Sequence, residues 1–319
     1  MTEQNIQPRL PLLVVAGPTA SGKTGFGVEL AKRWNGEVIS ADSMQIYKNM
    51  NVGTAKATEE EMQGIPHHML DFLEPNEQFS VADFVAMASA KIEEIVARGK
   101  LPIVVGGTGL YISSLVDNLT FSPMPQSPEL REQLKRKAAE EGNDAVLEEL
   151  RSFDPEAAEK LHANNLGRVI RAIEVYRLTG VTMTETVKNS HKEPSPYRLC
   201  MIALTAEDRQ FLYDRIDRRV DIMVEQGVVE EAKQLYNMPL SSTARQAIGY
   251  KEFDGFIEGT ASLQECIEKL KMETRRYAKR QLTWFRRDER YHWLEVDHYT
   301  SAARMAEAAE EWIRNDLGI

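Results

Sequence analysis

The chain has 319 residues, 42% hydrophobic and 28% charged, with two cysteines and a formal net charge of −10. That composition is globular, the length suits about two structural units, and no apolar run approaches the length of a membrane span. The acidic balance argues against nucleic acid at first sight, but net charge hides local patches, and one strongly basic segment lies near the C-terminus.

In chain order, the first eight residues are polar, with neither a signal-peptide core nor a basic presequence. Cys200 and Cys266 lie far apart and in no metal-ligand spacing, as expected of buried free thiols in a reducing compartment. Both features predict a cytoplasmic protein. Leu12 to Ala16 form a short apolar run that reads as a buried parallel strand. It enters Gly17-Pro18-Thr19-Ala20-Ser21-Gly22-Lys23-Thr24, which fits G-x-x-x-x-G-K-[ST], a loop whose N–H groups wrap phosphates. Phe26, Leu30 and Trp34 then recur as one face of a helix. Lys23 would reach terminal phosphates, and the Thr24 hydroxyl would help hold Mg2+. Further strands are predicted at Glu37–Ala41, Leu101–Val105, Leu199–Leu204 and Tyr291–Val296, with helices between them such as Ser80–Arg98. Strand–helix alternation after such a loop predicts an α/β, P-loop NTPase-like fold with a mostly parallel open sheet flanked by helices. Ligands of such sheets bind at the C-terminal strand ends.

Residues 120–196 break the alternation. Pro123, Pro125 and Pro128 open this stretch, Pro194 and Pro196 close it, and only helical patterns lie between. An inserted all-helical subdomain follows, with 1–119 plus 197–319 as the core.

Several residues in the shared crevice bear on chemistry. Asp42, at the end of the second strand, either organises a metal or accepts a proton, with simple helix capping as the alternative. The third main strand runs into Gly106-Gly107-Thr108-Gly109, where many P-loop enzymes carry a metal-organising acid. Such a turn either brings backbone and Thr108 close to a ligand or needs glycine for positive φ. His67 and His68 point to opposite faces of a strand, wrong for chelating one ion, so a buried hydrogen-bonded pair is expected. From Lys269 to Arg290, nine cationic residues alternate with Tyr277, Trp284 and Phe285, either as a solvated face or as an RNA contact.

Together these motifs resemble the bacterial tRNA dimethylallyltransferase family. The resemblance rests on Gly17–Thr24, Asp42-Ser43-Met44-Gln45-Ile46-Tyr47, Gly53-Thr54-Ala55-Lys56, Pro66-His67-His68 and Gly106–Tyr111. It continues through Ile216-Asp217-Arg218-Arg219-Val220, Arg245–Glu252 and Arg276–Arg286, so it spans nearly the whole chain in order. It implies transfer of a dimethylallyl group from dimethylallyl diphosphate to N6 of the adenine 3′ of the anticodon, in tRNAs reading codons that begin with U. Lys23, Thr24-bound Mg2+ and Arg219 would stabilise the diphosphate, Asp42 would orient and deprotonate the amine, and Thr108 would position it. The resemblance also implies tRNA contacts from Asp42, Ser43, Met44, Gln45 and Thr108, and from Arg245, Gln246, Ala247, Ile248, Gly249 and Tyr250. Arg276, Lys279 and Arg280 would add a basic grip, and Asn164, Asn165, Leu166, Gly167 and Arg168 in the insertion would hold the anticodon arm. The family often has Pro-Asn-Asp where this chain has Ala163-Asn164-Asn165. A monomer is the family expectation. The rival readings are an adenylate dimethylallyltransferase, a small-metabolite kinase, and a non-catalytic RNA-binding switch.

Overall fold

The computed structural model describes residues 9–121, 125–190 and 193–319; the polar start and Pro123 of the first proline flank lie outside them. The chain divides into two compact units, one of residues 1–116 with 195–319, the other of 117–194.

The larger unit is built on six strands: β1 (Leu10–Ala16), β2 (Gly36–Ser40), β3 (His67–His68), β4 (Leu101–Gly106), β5 (Tyr197–Thr205) and β6 (Tyr291–Glu295). Their order is β3-β2-β4-β1-β5-β6, and every pairing is parallel. In β1 the side chains alternate between two cores, as the two-residue period of a strand requires. Leu12, Val14 and Ala16 face a core that contains Phe84, Ala88, Ile92 and Ile95 of the Val81–Ala97 helix, and Leu270 and Phe285 of the Leu263–Phe285 helix. Leu13 and Val15 face Phe26 and Leu30 of the Lys23–Arg33 helix and Ile313 and Leu317 of the last helix. A sheet apolar on both faces is why β1, β4 and β5 read as continuous hydrophobic runs. Trp34 falls at the C-cap of the Lys23–Arg33 helix and is only partly buried.

The smaller unit holds only helices among its described residues, around a core of Leu134, Val146, Leu150, Val169 and Ile173. Its buried Glu174 accepts Arg131 Nε and Nη2 at 2.8 Å each and the Ser127 N–H at 2.8 Å, so the charge is paired and hydrogen-bonded. Cys200 and Cys266 are both buried free thiols. Among the described residues no helix is long and apolar enough to cross a membrane.

Candidate active site

The C-terminal ends of β1, β2 and β4 open on a cavity of about 870 Å³. Parallel strands separated by crossovers leave their carboxyl ends side by side, so loops remote in sequence meet there. The phosphate loop forms one wall. Gly22 takes φ 91° at the N-cap of the Lys23–Arg33 helix, a left-handed turn that glycine adopts without strain. Lys23 Nζ donates to the Pro18 carbonyl at 2.6 Å, which folds the lysine back along the loop. Burial lowers the Lys23 ammonium to about 7, helped by the nearby Arg219 guanidinium and opposed by Asp42. Burial lowers Arg219 too, and its Nη2 donates to the Ala55 carbonyl at 3.3 Å. Arg215 completes this cationic wall, its Nε donating to the Ala20 carbonyl at 2.7 Å. Thr24 also lines the cavity.

Asp42 lies on the facing side. Its Oδ1 accepts the N–H groups of Met44 at 2.9 Å and Gln45 at 3.3 Å. This is a cap, but of a turn: no helix follows, and the carboxylate still lines the cavity. Thr108 Oγ1 accepts the Ser43 N–H at 3.0 Å, which ties the turn after β4 to the residue next to Asp42. Gln45 reaches the other way, its Nε2 donating to the carbonyls of Thr54 at 3.2 Å and Ala55 at 3.1 Å. Lys23, Thr24, Asp42, Ser43, Met44, Gln45 and Arg219 therefore share one cavity, with Thr108 bonded to its edge.

The glycines of the turn after β4 do not serve left-handed backbone, and Gly106 lines the cavity. None of Gly106, Gly107 and Gly109 has positive φ. Two of them also admit protein closely: a Cβ on Gly107 would sit 2.2 Å from Gln281 Nε2, and one on Gly109 2.2 Å from Trp284 Cδ1. They let the Leu263–Phe285 helix lie against the turn.

That helix carries the basic segment, and its residues divide by face. Cys266, Leu270, Thr274, Ala278, Gln281 and Phe285 are buried at helical spacing. Arg275 is held by Asp217 at 2.5 Å and Lys271 by Asp221 at 2.6 Å, so these two are partly neutralised. Arg276 pairs with Glu273 at 2.6 Å while staying exposed. Lys279 is exposed, and Arg280, also exposed, lines the cavity with its guanidinium 5.6 Å above the Tyr277 ring.

The Arg245–Tyr250 stretch also divides. Arg245 and Gln246 are exposed, and Gln246, Ala247 and Ile248 line the cavity. Gly249 and Tyr250 are buried, with the Tyr250 hydroxyl donating to Glu231 at 2.6 Å. Asn164, Asn165, Gly167 and Arg168 are exposed at the start of the Leu166–Thr179 helix in the smaller unit, and Leu166 is partly buried there. Asn165 stands at the N-cap and makes no side-chain cap bond. The histidine pair is half-buried: His67 Nδ1 donates to the Ile65 carbonyl at 2.8 Å, and His68 Nε2 meets Glu37 at 2.7 Å. His67 lines the cavity, and burial lowers its pKa, which favours the neutral ring.

Three further residues shape the site, and sequence reasoning gave none of them a role there: Arg215 and Glu231 lie outside the motifs, and Gln281 lies within Arg276–Arg286. Arg215 is described above. Glu231 accepts the N–H groups of Asn51, Val52 and Gly53 at 3.0–3.1 Å and so clamps the loop whose Ala55 carbonyl receives Arg219. Gln281 bonds to both Thr19 and Gly107. Each acts across more than 170 positions of sequence, where local spacing gives no signal.

A parallel sheet with a phosphate loop, partly buried cations and a carboxylate in one cavity defines an α/β protein built to handle a phosphorylated ligand. The IPP transferase family model matches residues 45–288. A tRNA dimethylallyltransferase of Caldanaerobacter subterraneus is 48% identical over 97% of this chain and 99% of its own. One of Acetivibrio thermocellus is 51% identical over 91% and 93%. The crystal structure of the tRNA isopentenylpyrophosphate transferase of Bacillus halodurans aligns with TM-score 0.71 at 44% identity, covering 97% of this chain and 98% of that one. A eukaryotic dimethylallyltransferase crystallised while acting on tRNA aligns with TM-score 0.79 at 32% identity, covering 96% and 80%. The chain belongs to the tRNA dimethylallyltransferase family.

Proposed function

We propose that this protein transfers a dimethylallyl group from dimethylallyl diphosphate to N6 of the adenine 3′ of the anticodon, in tRNAs reading codons that begin with U. The observation that carries the reading is the meeting of Lys23, Arg219 and Asp42 in one cavity, where the two cations and the carboxylate act on one another. Two partly buried cations beside an N–H-rich loop suit a diphosphate. Partly buried Val52, Met44 and Ile248 supply apolar wall for the allyl group.

In the reaction the adenine N6 attacks the allylic carbon, an N–C bond forms, the C–O bond breaks and diphosphate leaves. Lys23 and Arg219 stabilise the charge growing on the leaving oxygens. The exocyclic amine is a weak nucleophile, its lone pair delocalised into the ring. Asp42 orients it and takes its proton, the backbone bonds to Oδ1 holding the carboxylate while this happens. Thr108 holds the Asp42 turn through Ser43. Oxygen donors along the wall, from Thr24 and Glu61, suit a hard divalent cation, and Thr24 is the residue that would hold Mg2+. The ion would supply neutralisation of diphosphate charge.

An anticodon-loop adenine must be flipped out of its stack to enter, at a cost of a few kcal/mol that RNA contacts offset. Lys279, Arg280 and Arg276 on the larger unit and Arg168 on the helical unit supply exposed cations for the RNA backbone. A tRNA substrate and two buried thiols fit a cytoplasmic setting.

The comparisons give no support to an adenylate transferase or a kinase. The test is to supply labelled dimethylallyl diphosphate with tRNA, AMP or no acceptor. Label in tRNA alone is expected; label in AMP, or none in either, overturns the reading.

A further inference from the structure

Gln281 is 6% exposed and sits on the buried face of the Leu263–Phe285 helix. Its carboxamide uses both ends. Oε1 accepts the Thr19 N–H at 2.9 Å, and Nε2 donates to the Gly107 carbonyl at 2.9 Å. The orientation is dictated by the partners, since an amide N–H can only donate and a carbonyl only accept. Thr19 belongs to the phosphate loop, one residue after the Pro18 carbonyl that holds Lys23. Gly107 precedes Thr108, whose hydroxyl holds Ser43 beside Asp42. One side chain thus spans the donor wall and the acceptor wall. The lack of a side chain at Gly107 creates its seat. Among side chains of this length only glutamine offers a neutral donor and acceptor together; methionine has neither strong group and glutamate lacks the donor.

We infer that Gln281 is a positioning residue that sets the separation of the diphosphate loop from the Asp42–Thr108 turn, and hence the alignment of allylic carbon and amine. This rests on the prenyl-transfer reading above. It gives the basic helix a second duty: its exposed face meets RNA, while its buried face fixes the gap that the reacting atoms must cross. Misplacement of reacting groups by about 1 Å costs on the order of a hundredfold in rate.

The experiment compares wild type, Gln281→Met, Thr108→Ala and the double variant. Methionine keeps length and apolar bulk, and thermal unfolding of each variant reports whether it is folded. Prenyl transfer is measured in a single turnover with both substrates saturating, and tRNA affinity is measured separately. The expected result for Q281M is a transfer rate lower by about 30- to 100-fold, with tRNA affinity within about twofold of wild type. In the double variant the two losses should fall well short of multiplying, because Gln281 acts partly through the Thr108 turn. A wild-type rate in Q281M overturns the inference, as does a loss confined to tRNA affinity or full multiplication with T108A. Should Q281M fail to fold, Gln281→Asn, too short to span both partners, takes its place under the same criteria. Wild-type protein that transfers no label to tRNA would bring down the reaction itself, an outcome distinct from equal transfer by wild type and variant.

Discussion

The two walls of the cavity are assembled differently. The phosphate loop takes its groups from consecutive residues, Gly17 to Thr24, between β1 and the Lys23–Arg33 helix. The opposite side takes Asp42 from the end of β2, Thr108 from the turn after β4 and Tyr277 from a helix near the C-terminus. A diphosphate presents the same anionic oxygens in any protein, so a short stretch of backbone N–H groups recognises it. An amine that must be turned, deprotonated and brought to one carbon needs side chains from several directions, which a parallel sheet provides by bringing distant loops together. Damage to the first wall should therefore appear in donor binding and rate together, and damage to the second in rate alone.

The largest expected effect is at Asp42. Asp42→Asn should lower kcat by about a hundredfold or more while leaving donor affinity nearly unchanged, as measured by steady-state kinetics beside direct binding of the diphosphate. Collapse of donor affinity with transfer preserved at saturation would make Asp42 a metal organiser and erase the contrast. Lys23→Ala comes next, expected to lower kcat/KM for dimethylallyl diphosphate by at least about tenfold, through both constants.

Lys23 also carries a pH signature. Burial brings it to about 7 in the free protein, so above that pH diphosphate binding must draw in a proton, and affinity should fall as pH rises from 7 to 9. For stability the sign is opposite. Between about 7 and the unfolded value near 10.4 the unfolded chain holds the extra proton, so the Lys23 contribution rises with pH across that window and the burden is full below it. Lys23→Met should accordingly raise the Tm at pH 7 while lowering transfer about as much as Lys23→Ala does. An unchanged or lower Tm would mean that the lysine is not desolvated as described.

Smaller effects sharpen the role of the basic helix. Gly109→Ala would press on the Trp284 indole and should destabilise the protein by about 1–3 kcal/mol, with a shift in tryptophan emission. Replacing Lys279 and Arg280 by alanine should weaken tRNA binding and reduce its salt slope by roughly one for each phosphate that is no longer neutralised. Arg275→Ala should change that slope less, because Asp217 already neutralises the guanidinium. Equal slopes for all three proteins would return this face to a merely solvated one.

The sheet, the phosphate loop and the approximate limits of the helical insertion are legible in the sequence, because each rests on local pattern: apolar runs, a fixed motif, prolines at the flanks. Asp42 is recognisable by its place at a strand end, yet the turn it caps is not, since only the folded backbone shows that no helix follows. The glycines after β4 look like ligand-facing or left-handed positions. None is left-handed, and Gln281 and Trp284, which pack against Gly107 and Gly109, lie about 175 residues further along the chain. The basic segment reads as one charged stretch until Asp217 and Asp221 are seen to pair with two of its members. Motifs report what a segment does by itself; the division of a helix into a buried, an ion-paired and a free face depends on what packs against it.

The most direct measurement uses wild-type protein, labelled dimethylallyl diphosphate and an unmodified tRNA that reads a codon beginning with U. After reaction the tRNA is digested to nucleosides and the label located. Label on N6 of the adenine 3′ of the anticodon, with one diphosphate released per group transferred, is the predicted result. Label at another nucleotide, or diphosphate released with no modified adenine, would contradict the proposal that this cavity joins a diphosphate donor to an extruded adenine.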